Sequence, residues 1–80
     1  MAVTIYAKPN CQPCCMTKLA FERKGVEFRE VDITEHPQAL AYITEDLGYM
    51  QAPVVVVDDH DHWSGFRPDQ IERIAAGVAA

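Results

Sequence analysis

The hydrophobic positions of the chain first indicate strands. Apolar, largely β-branched residues fill both parities of residues 2–7 and of the run 54–57, which is typical of strands buried on both faces. A further strand is predicted over residues 26–31. Because Phe28 and Val31 differ in parity, we expect a bulge or a strand end between them. Residues 58–61 read as a hairpin turn and residues 62–64 as a short edge strand.

Helical spacing of apolar residues marks three further segments. The first runs from Pro13 to a stop at Gly25, the second begins at Pro37 after the capping residues Asp32 and Thr34, and the third begins at Pro68. Their core-facing positions are predicted to be Met16, Leu19 and Ala20, then Leu40, Ile43 and Leu47, and last Ile71, Ile74, Ala75 and Val78. The resulting order is β-α-β-α-β-β-α, with helices covering both faces of a small sheet.

Composition limits the functions that this pattern can serve. Eighty residues suffice for one small domain over residues 1–80, without room for a second module. The net charge of −5, with only seven Lys and Arg, offers no basic face, so we expect no nucleic-acid partner. No segment resembles a signal peptide or a membrane span, which predicts a cytoplasmic protein with no membrane partner. The acidic and histidine run at residues 58–61 is interpreted as a solvated turn rather than a metal site.

Two cysteines stand three residues apart where the first strand leads into the first helix. A helix N-terminus stabilises a thiolate through unpaired N–H groups and the helix dipole, so Cys11 is a candidate nucleophile. Pro13 suits the first helical turn, and Lys8 adds a cation that also favours the thiolate. The spacing lets Cys14 form and open a disulfide with Cys11 without moving the fold. The pattern therefore indicates thiol–disulfide chemistry in a reducing compartment.

Other uses of the cysteines stay open from the residues alone. A structural disulfide is disfavoured, because a loop this short would stabilise the fold by only about 2 kcal/mol. Metal or iron–sulfur ligation by Cys11, Cys14 and Cys15 is a rival, although no second Cys-x-x-Cys is present. Cys15 should point away from Cys14, toward Leu19 and Glu22. There it would be either an inert small residue or the site of an alternative or intermolecular disulfide.

Three motifs in chain order carry a resemblance to a known family. They are Cys11-Gln12-Pro13-Cys14, Gly48-Tyr49-Met50-Gln51-Ala52-Pro53-Val54 and Trp63-Ser64-Gly65-Phe66-Arg67-Pro68-Asp69. Over essentially its whole length the chain resembles the NrdH-redoxins, which are glutaredoxin-like in sequence and thioredoxin-like in behaviour. The resemblance implies a thioredoxin-like α/β fold with a four-stranded mixed sheet flanked by three helices.

The resemblance also implies a function. NrdH-redoxins are small electron carriers that reduce the large subunit of a class Ib ribonucleotide reductase and are re-reduced by thioredoxin reductase with electrons from NADPH. By position, Cys11 would be the attacking cysteine, Cys14 the resolving one, and Pro53 a cis-proline facing the disulfide. No bound cofactor is implied beyond the reversible disulfide. We expect a monomer with a reduction potential of about −270 to −200 mV.

Residues around the pair are expected to bind the partner protein. The implied set is Gln12, Ala52, Pro53, Trp63, Ser64, Gly65, Phe66 and Arg67. The backbone of Ala52 would pair with an extended client segment. Trp63 and Phe66 could instead be ordinary packing, and Arg67 could pair with a carboxylate such as Asp58 or Asp69. Tyr49 and Met50 are interpreted as core or rim positions.

Two further functions compete with this prediction. A glutathione-dependent glutaredoxin would share the chemistry, but such proteins hold glutathione partly through a Gly-Gly and acidic segment before the last helix. Here that place reads Ser64-Gly65-Phe66-Arg67-Pro68-Asp69, which disfavours strong glutathione binding. A regulatory module that only docks on a reductase subunit would not need Cys14 at all.

Overall fold

Eight secondary-structure segments make up the fold in a computed structural model that describes residues 3–79, with side chains as far as residue 77. They are β1 (Val3–Ala7), α1 (Gln12–Arg23), β2 (Phe28–Asp32), α2 (Pro37–Ala41) with a π-helical continuation (Tyr42–Asp46), β3 (Val54–Asp58), β4 (Asp61–Ser64) and α3 (Pro68–Ala79). The order β-α-β-α-β-β-α is confirmed. Ala2, expected in the first strand, and the side chain of Val78, expected on the apolar face of the last helix, lie outside the described part of the chain.

The four strands form one mixed sheet in the order β2-β1-β3-β4. β1 runs parallel to β2, with Val3 opposite Phe28 and Ala7 opposite Asp32, and antiparallel to β3. β3 and β4 form the predicted hairpin, whose turn is stabilised by a 2.7 Å hydrogen bond from the His60 N–H to Asp58 Oδ1. β3 is therefore a central strand, as its unbroken valine run predicts.

Helices cover both faces of this sheet. On one face, buried residues of the sheet pack against α1 and α3 in a single cluster that includes Ile5, Val55, Phe21 and Ile71. On the other face, the ring of Tyr42 packs against Tyr6 of β1 in a tilted arrangement, with 5.9 Å between ring centroids. The sheet is thus enclosed as in a three-layer thioredoxin-like fold.

α1 is rotated relative to the sequence prediction. Met16 is 43% and Leu19 46% exposed, whereas Cys14, Thr17 and Phe21 are buried. The predicted apolar face was therefore wrong for Met16 and Leu19. The helix instead buries the stripe that starts at Cys14, so that the second cysteine lies within the core. The hydroxyl of buried Thr17 is satisfied by donating to the Pro13 carbonyl at 2.8 Å.

Two boundaries around β2 also differ from the prediction. The strand begins at Phe28 and pairs without interruption to Asp32, so there is no bulge within it. Phe28 and Val31 differ in parity because they lie on opposite faces of this strand: Phe28 packs against the buried cluster, whereas Val31 is opposite Tyr6. Asp32 caps a local turn rather than α2, because its Oδ1 accepts hydrogen bonds from the Thr34 N–H at 2.9 Å and hydroxyl at 2.6 Å.

α3 begins at Pro68, as predicted. Asp69 lies in its first turn, and Ile71 and Ile74 are buried against the sheet. Within residues 3–79, none of the helices combines the length and the apolar character needed to cross a bilayer.

Candidate active site

Cys11 and Cys14 are joined by a disulfide at the start of α1. Cys11 is the N-cap residue of the helix, and its Sγ accepts a 3.2 Å hydrogen bond from the backbone N–H of Cys14. This is the contact that an N-cap oxygen makes in other helices, and it stabilises negative charge on sulfur. The Cα atoms are 5.2 Å apart, within the usual range for a disulfide. The site can therefore alternate between dithiol and disulfide with the helix intact.

The two sulfur-bearing residues differ in access to solvent. Both are buried and belong to the core cluster, Cys14 at 1% and Cys11 at 7% exposed, but only Cys11 lines a groove. Cys11 lies at the floor of an open groove of about 380 Å³, whose lining residues are Lys8, Asn10, Cys11, Gln12, Pro13, Met50, Gln51 and Ala52. An external disulfide can thus approach Cys11 from this groove, with Cys14 behind it. Lys8 supplies the positive charge in the lining.

The loop before β3 forms the opposite wall of the groove. The Ala52–Pro53 peptide bond is cis, as the resemblance implied. The Gly65 N–H donates to the Pro53 carbonyl at 2.8 Å, and the Ser64 hydroxyl donates to the Gln51 carbonyl at 2.8 Å. Ser64 and Gly65, expected to contact the partner, are thus occupied in fixing this loop. Within residues 3–79 the backbone N–H and carbonyl of Ala52 take part in no loop or turn hydrogen bond.

Tyr49 connects the start of the same loop to β4 through contacts with His62. Its hydroxyl lies 2.7 Å from His62 Nδ1 and donates to the His62 carbonyl at 3.2 Å, while its ring packs edge-on to the imidazole. A phenol has one proton, so both contacts are satisfied when Nδ1 carries a proton and donates to the hydroxyl oxygen. The backbone N–H of Tyr49 donates to the Ile43 carbonyl at 2.8 Å. This contact was not predicted, because nothing in the sequence pattern pairs Tyr49 with His62.

Asn10 shapes the turn into α1 and was also missed. It has a φ of 57°, in the left-handed region, immediately before Cys11. Asparagine adopts this conformation at lower cost than most residues. The available signal was its place between Pro9 and the predicted helix start, where a sharp change of chain direction is needed.

Trp63 and Phe66 have different environments. Trp63 is 4% exposed and part of the core, so its side chain does not form an exposed docking surface. Its indole N–H is buried and has no acceptor among the described residues. Phe66 is half-buried, and it lines a shallow groove of about 140 Å³ with Met16, Leu19, Ala20 and Arg23. Of the two aromatic residues, only Phe66 has a side chain that a partner could contact.

Arg67 forms the ion pair that the sequence suggested. Its Nε and Nη2 donate to the two carboxylate oxygens of Asp69 at 3.2 and 3.0 Å. The guanidinium lowers the pKa of the Asp69 carboxyl, first through this hydrogen bond and also through its charge. The Arg67–Asp69 ion pair lies at the first turn of α3. Asp58, the other suggested partner of Arg67, instead accepts a hydrogen bond in the hairpin turn.

Cys15 lies on a different side of α1 from the disulfide. It is exposed and lines a groove of about 370 Å³ with Lys18, Leu19, Glu22, Phe28 and Glu30. The predicted direction, toward Leu19 and Glu22, is confirmed. The three cysteines therefore do not converge. Among residues 3–79, no three His, Cys, Asp or Glu side chains are arranged to hold a metal ion.

Comparisons with known proteins agree with this geometry. The glutaredoxin family model matches residues 3–63. The glutaredoxin-like protein NrdH of Salmonella typhimurium is 45% identical over 74 residues, covering 92% of this chain and 89% of the relative. The Gene 56 protein of Mycobacterium phage L5 is 39% identical over 72 residues, covering 90% and 70%. The structure of the glutaredoxin-like protein NrdH-redoxin from Escherichia coli, described with a thioredoxin-like activity profile, aligns with a TM-score of 0.84 at 40% identity, covering 92% of this chain and 95% of that one.

Proposed function

We propose, from the premise that this chain belongs to the glutaredoxin family as an NrdH-type thiol–disulfide oxidoreductase, that it carries electrons to the large subunit of a class Ib ribonucleotide reductase. Thioredoxin reductase would return its disulfide to the dithiol with electrons from NADPH, in the cytoplasm. The observation that carries the proposal is the asymmetry of the cysteine pair. Cys11 opens on a groove beside Ala52, and Cys14 is buried behind it.

The first step takes place at Cys11. In the reduced protein its thiolate attacks one sulfur of the client disulfide, forming an S–S bond to that sulfur and breaking the client's own S–S bond. The departing client sulfur leaves as a thiolate and takes a proton from water. The Cys14 N–H at the helix N-terminus supports the thiolate before attack.

The second step resolves the mixed disulfide. Cys14 loses its proton and attacks Sγ of Cys11, forming the intramolecular disulfide and releasing the second client thiolate. Each cycle moves two electrons to the client. The reductase reverses this oxidation by attacking the Cys11–Cys14 disulfide, and NADPH supplies the electron pair.

The client is bound through its backbone beside the disulfide. Ala52 precedes the cis-proline, and its backbone groups are free of loop hydrogen bonds within residues 3–79. An extended client segment can therefore pair with them as an added strand, without a deep pocket. Gln12, Pro13 and Lys8 form the other wall of the groove, where they would contact the client.

Contacts before α3 favour a protein partner over glutathione. The Ser64 hydroxyl is already bound to the Gln51 carbonyl, and the Arg67 guanidinium is bound to Asp69. A free tripeptide would have to compete with these internal hydrogen bonds. Phe66 is half-buried beside a shallow apolar groove. Its side chain therefore provides apolar contact area for a partner protein, but no charged group that could bind a small peptide.

Reconstitution of deoxyribonucleotide synthesis tests the proposal. Purified class Ib ribonucleotide reductase is supplied with NADPH, thioredoxin reductase and this protein, and product is quantified over several turnovers. We expect sustained synthesis with the natural chain and with Cys15→Ser, and none with Cys11→Ser. Synthesis that is the same without this protein would overturn the assignment of the client.

A further inference from the structure

The loop at residues 49–53 is attached to β4 and to the Gly65 that follows it. Tyr49 contacts His62, the Gln51 carbonyl accepts from Ser64, and the Pro53 carbonyl accepts from Gly65. The loop bends at Gln51 and Ala52, and Met50, Gln51 and Ala52 all line the groove that contains Cys11.

Met50 is unusually open for a large apolar residue. It is 87% exposed, while Met16, Leu19 and Leu40, the other exposed large apolar residues of the described chain, are between 42% and 46% exposed. The hydrogen bonds of Tyr49 and Gln51, on either side of Met50, hold its backbone in place. The side chain of Met50 therefore extends from a fixed position beside the disulfide. Methionine is unbranched and adapts to different apolar surfaces, and it is enriched in protein interfaces.

We propose that Met50 is a specificity-determining residue that contacts an apolar side chain of the client next to its disulfide. This inference rests on the proposed role of the same groove in reducing protein disulfides. It commits to one occupant, an extended polypeptide carrying Leu, Ile, Val, Met or Phe close to the attacked cysteine. The surface around Met50 is continuous with the groove of Cys11 and Ala52, so one bound segment would cover all three residues.

Strand geometry sets where the client residue would lie. Met50 and Ala52 line the same groove, and in an extended client segment side chains two residues apart lie on one side, about 7 Å from each other. A client strand paired with the backbone of Ala52 would therefore place a side chain over Met50 two or three residues from the attacked cysteine. Lys8 is the charged residue of the lining, on the wall opposite the loop, so the side of Met50 offers apolar rather than ionic contact.

Matched peptide disulfides provide the test. Two peptides share one sequence with an internal disulfide and differ only in Leu or Ser two residues from the cysteine. The full-length protein is reduced with dithiothreitol, freed of the reductant and mixed with each peptide in a stopped-flow instrument. The variants are Met50→Ser, the conservative Met50→Leu, and Leu40→Ser as a control for loss of an exposed large apolar side chain on α2, outside the groove.

The natural chain should reduce the leucine peptide about tenfold faster than the serine peptide, equivalent to about 1.4 kcal/mol. Met50→Ser should lose this preference, whereas Met50→Leu and Leu40→Ser should keep it. Equal rates for the two peptides with the natural chain, a preference that survives Met50→Ser, or a preference also lost in Leu40→Ser would each overturn the proposal.

The assay separates this inference from the proposed partners. It contains neither thioredoxin reductase nor ribonucleotide reductase, so an error in either assignment leaves the peptide preference intact. Every rate is divided by the rate with hydroxyethyl disulfide, a small substrate without flanking residues. A protein that lacks thiol–disulfide activity would fail with this reagent as well, which identifies failure of the site itself.

Discussion

Cys11 combines two properties at the scale of a single residue: it is the N-cap of α1, and it lies on the open groove. Cys14 receives its position from the same helix but is more deeply buried and does not line the groove. The position of each residue therefore accounts for the proposed division of labour between attack and resolution. The sequence predicted both residues from their spacing, but the difference in burial depends on how α1 is rotated against the sheet.

Trapping distinguishes the two cysteines. Cys14→Ser should still attack an oxidised client and then stop, because no resolving thiol remains, so a stable mixed disulfide accumulates. Cys11→Ser should form none, since the buried Cys14 cannot be reached from the groove. Mass spectrometry after proteolysis would locate the linkage. Client attached through Cys14 or Cys15 would contradict the assignment.

Lys8 offers a second test at this scale. Removing its charge in Lys8→Ala should raise the pKa of Cys11 in the reduced protein, because the thiolate loses a nearby cation. For an exposed charge worth about 0.3–0.7 kcal/mol, alkylation near neutral pH should slow about two- to threefold. The rate of iodoacetamide labelling against pH measures the change. Lys24→Ala, which removes a cation paired with Glu72 at the far end of α1, should leave the profile unchanged.

At the scale of elements, β4 has two functions. Its buried Trp63 fills the core, and its polar neighbours His62 and Ser64 hold the loop that precedes β3. The position of the cis-proline loop thus depends on the edge strand of the hairpin. A substitution in β4 can therefore alter client binding without touching the client.

Tyr49→Phe tests this connection. The variant loses the contacts of the hydroxyl with His62, which should lower the free energy of unfolding by about 1 kcal/mol. Its rate with a protein disulfide should fall more than its rate with hydroxyethyl disulfide, because only the protein client needs an ordered loop. Tyr42→Phe, whose ring packs on Tyr6 on the other side of the sheet, serves as the matched control. Equal loss on both substrates in Tyr49→Phe would refute a positioning role.

Elements with one dominant local signal were predictable from the sequence. The valine run of β3 and the proline at the start of α3 fixed those elements, and the cysteine spacing indicated the reaction. The rotation of α1 was not predictable, because Met16 and Leu19 satisfy helical periodicity as well as the buried stripe does. The exposure of Met50 was missed for a related reason: it follows from hydrogen bonds between residues 13 positions apart.

At the scale of the whole molecule, the shifted pKa values of two carboxyl groups make the stability of the fold depend on pH. Hydrogen bonds from Thr34 lower the pKa of Asp32, and Arg67 lowers that of Asp69. Both folded-state pKa values lie below the ordinary value of 3.8. The stabilisation from each carboxylate is therefore complete above the unfolded-state pKa and is lost as the pH falls through the folded-state value.

Acid titration of stability follows from these shifts. The urea concentration at the midpoint of unfolding should stay nearly constant down to about pH 5 and decline below about pH 4. Asp69→Asn should reduce this acid-dependent decline, because its contribution is absent at every pH. Asp59→Asn, the same change of charge at a carboxylate in the hairpin turn, serves as the matched control. A midpoint that rises on acidification would contradict the assigned direction of the shifts.

The source of its electrons decides whether this dithiol carrier is recycled by thioredoxin reductase, as we propose. NADPH consumption is followed when oxidised protein meets either thioredoxin reductase or glutathione with glutathione reductase, with a protein disulfide as final acceptor. We predict rapid turnover with thioredoxin reductase alone, lost in Cys11→Ser. Turnover that requires glutathione would contradict the account and make the protein a glutathione-dependent glutaredoxin.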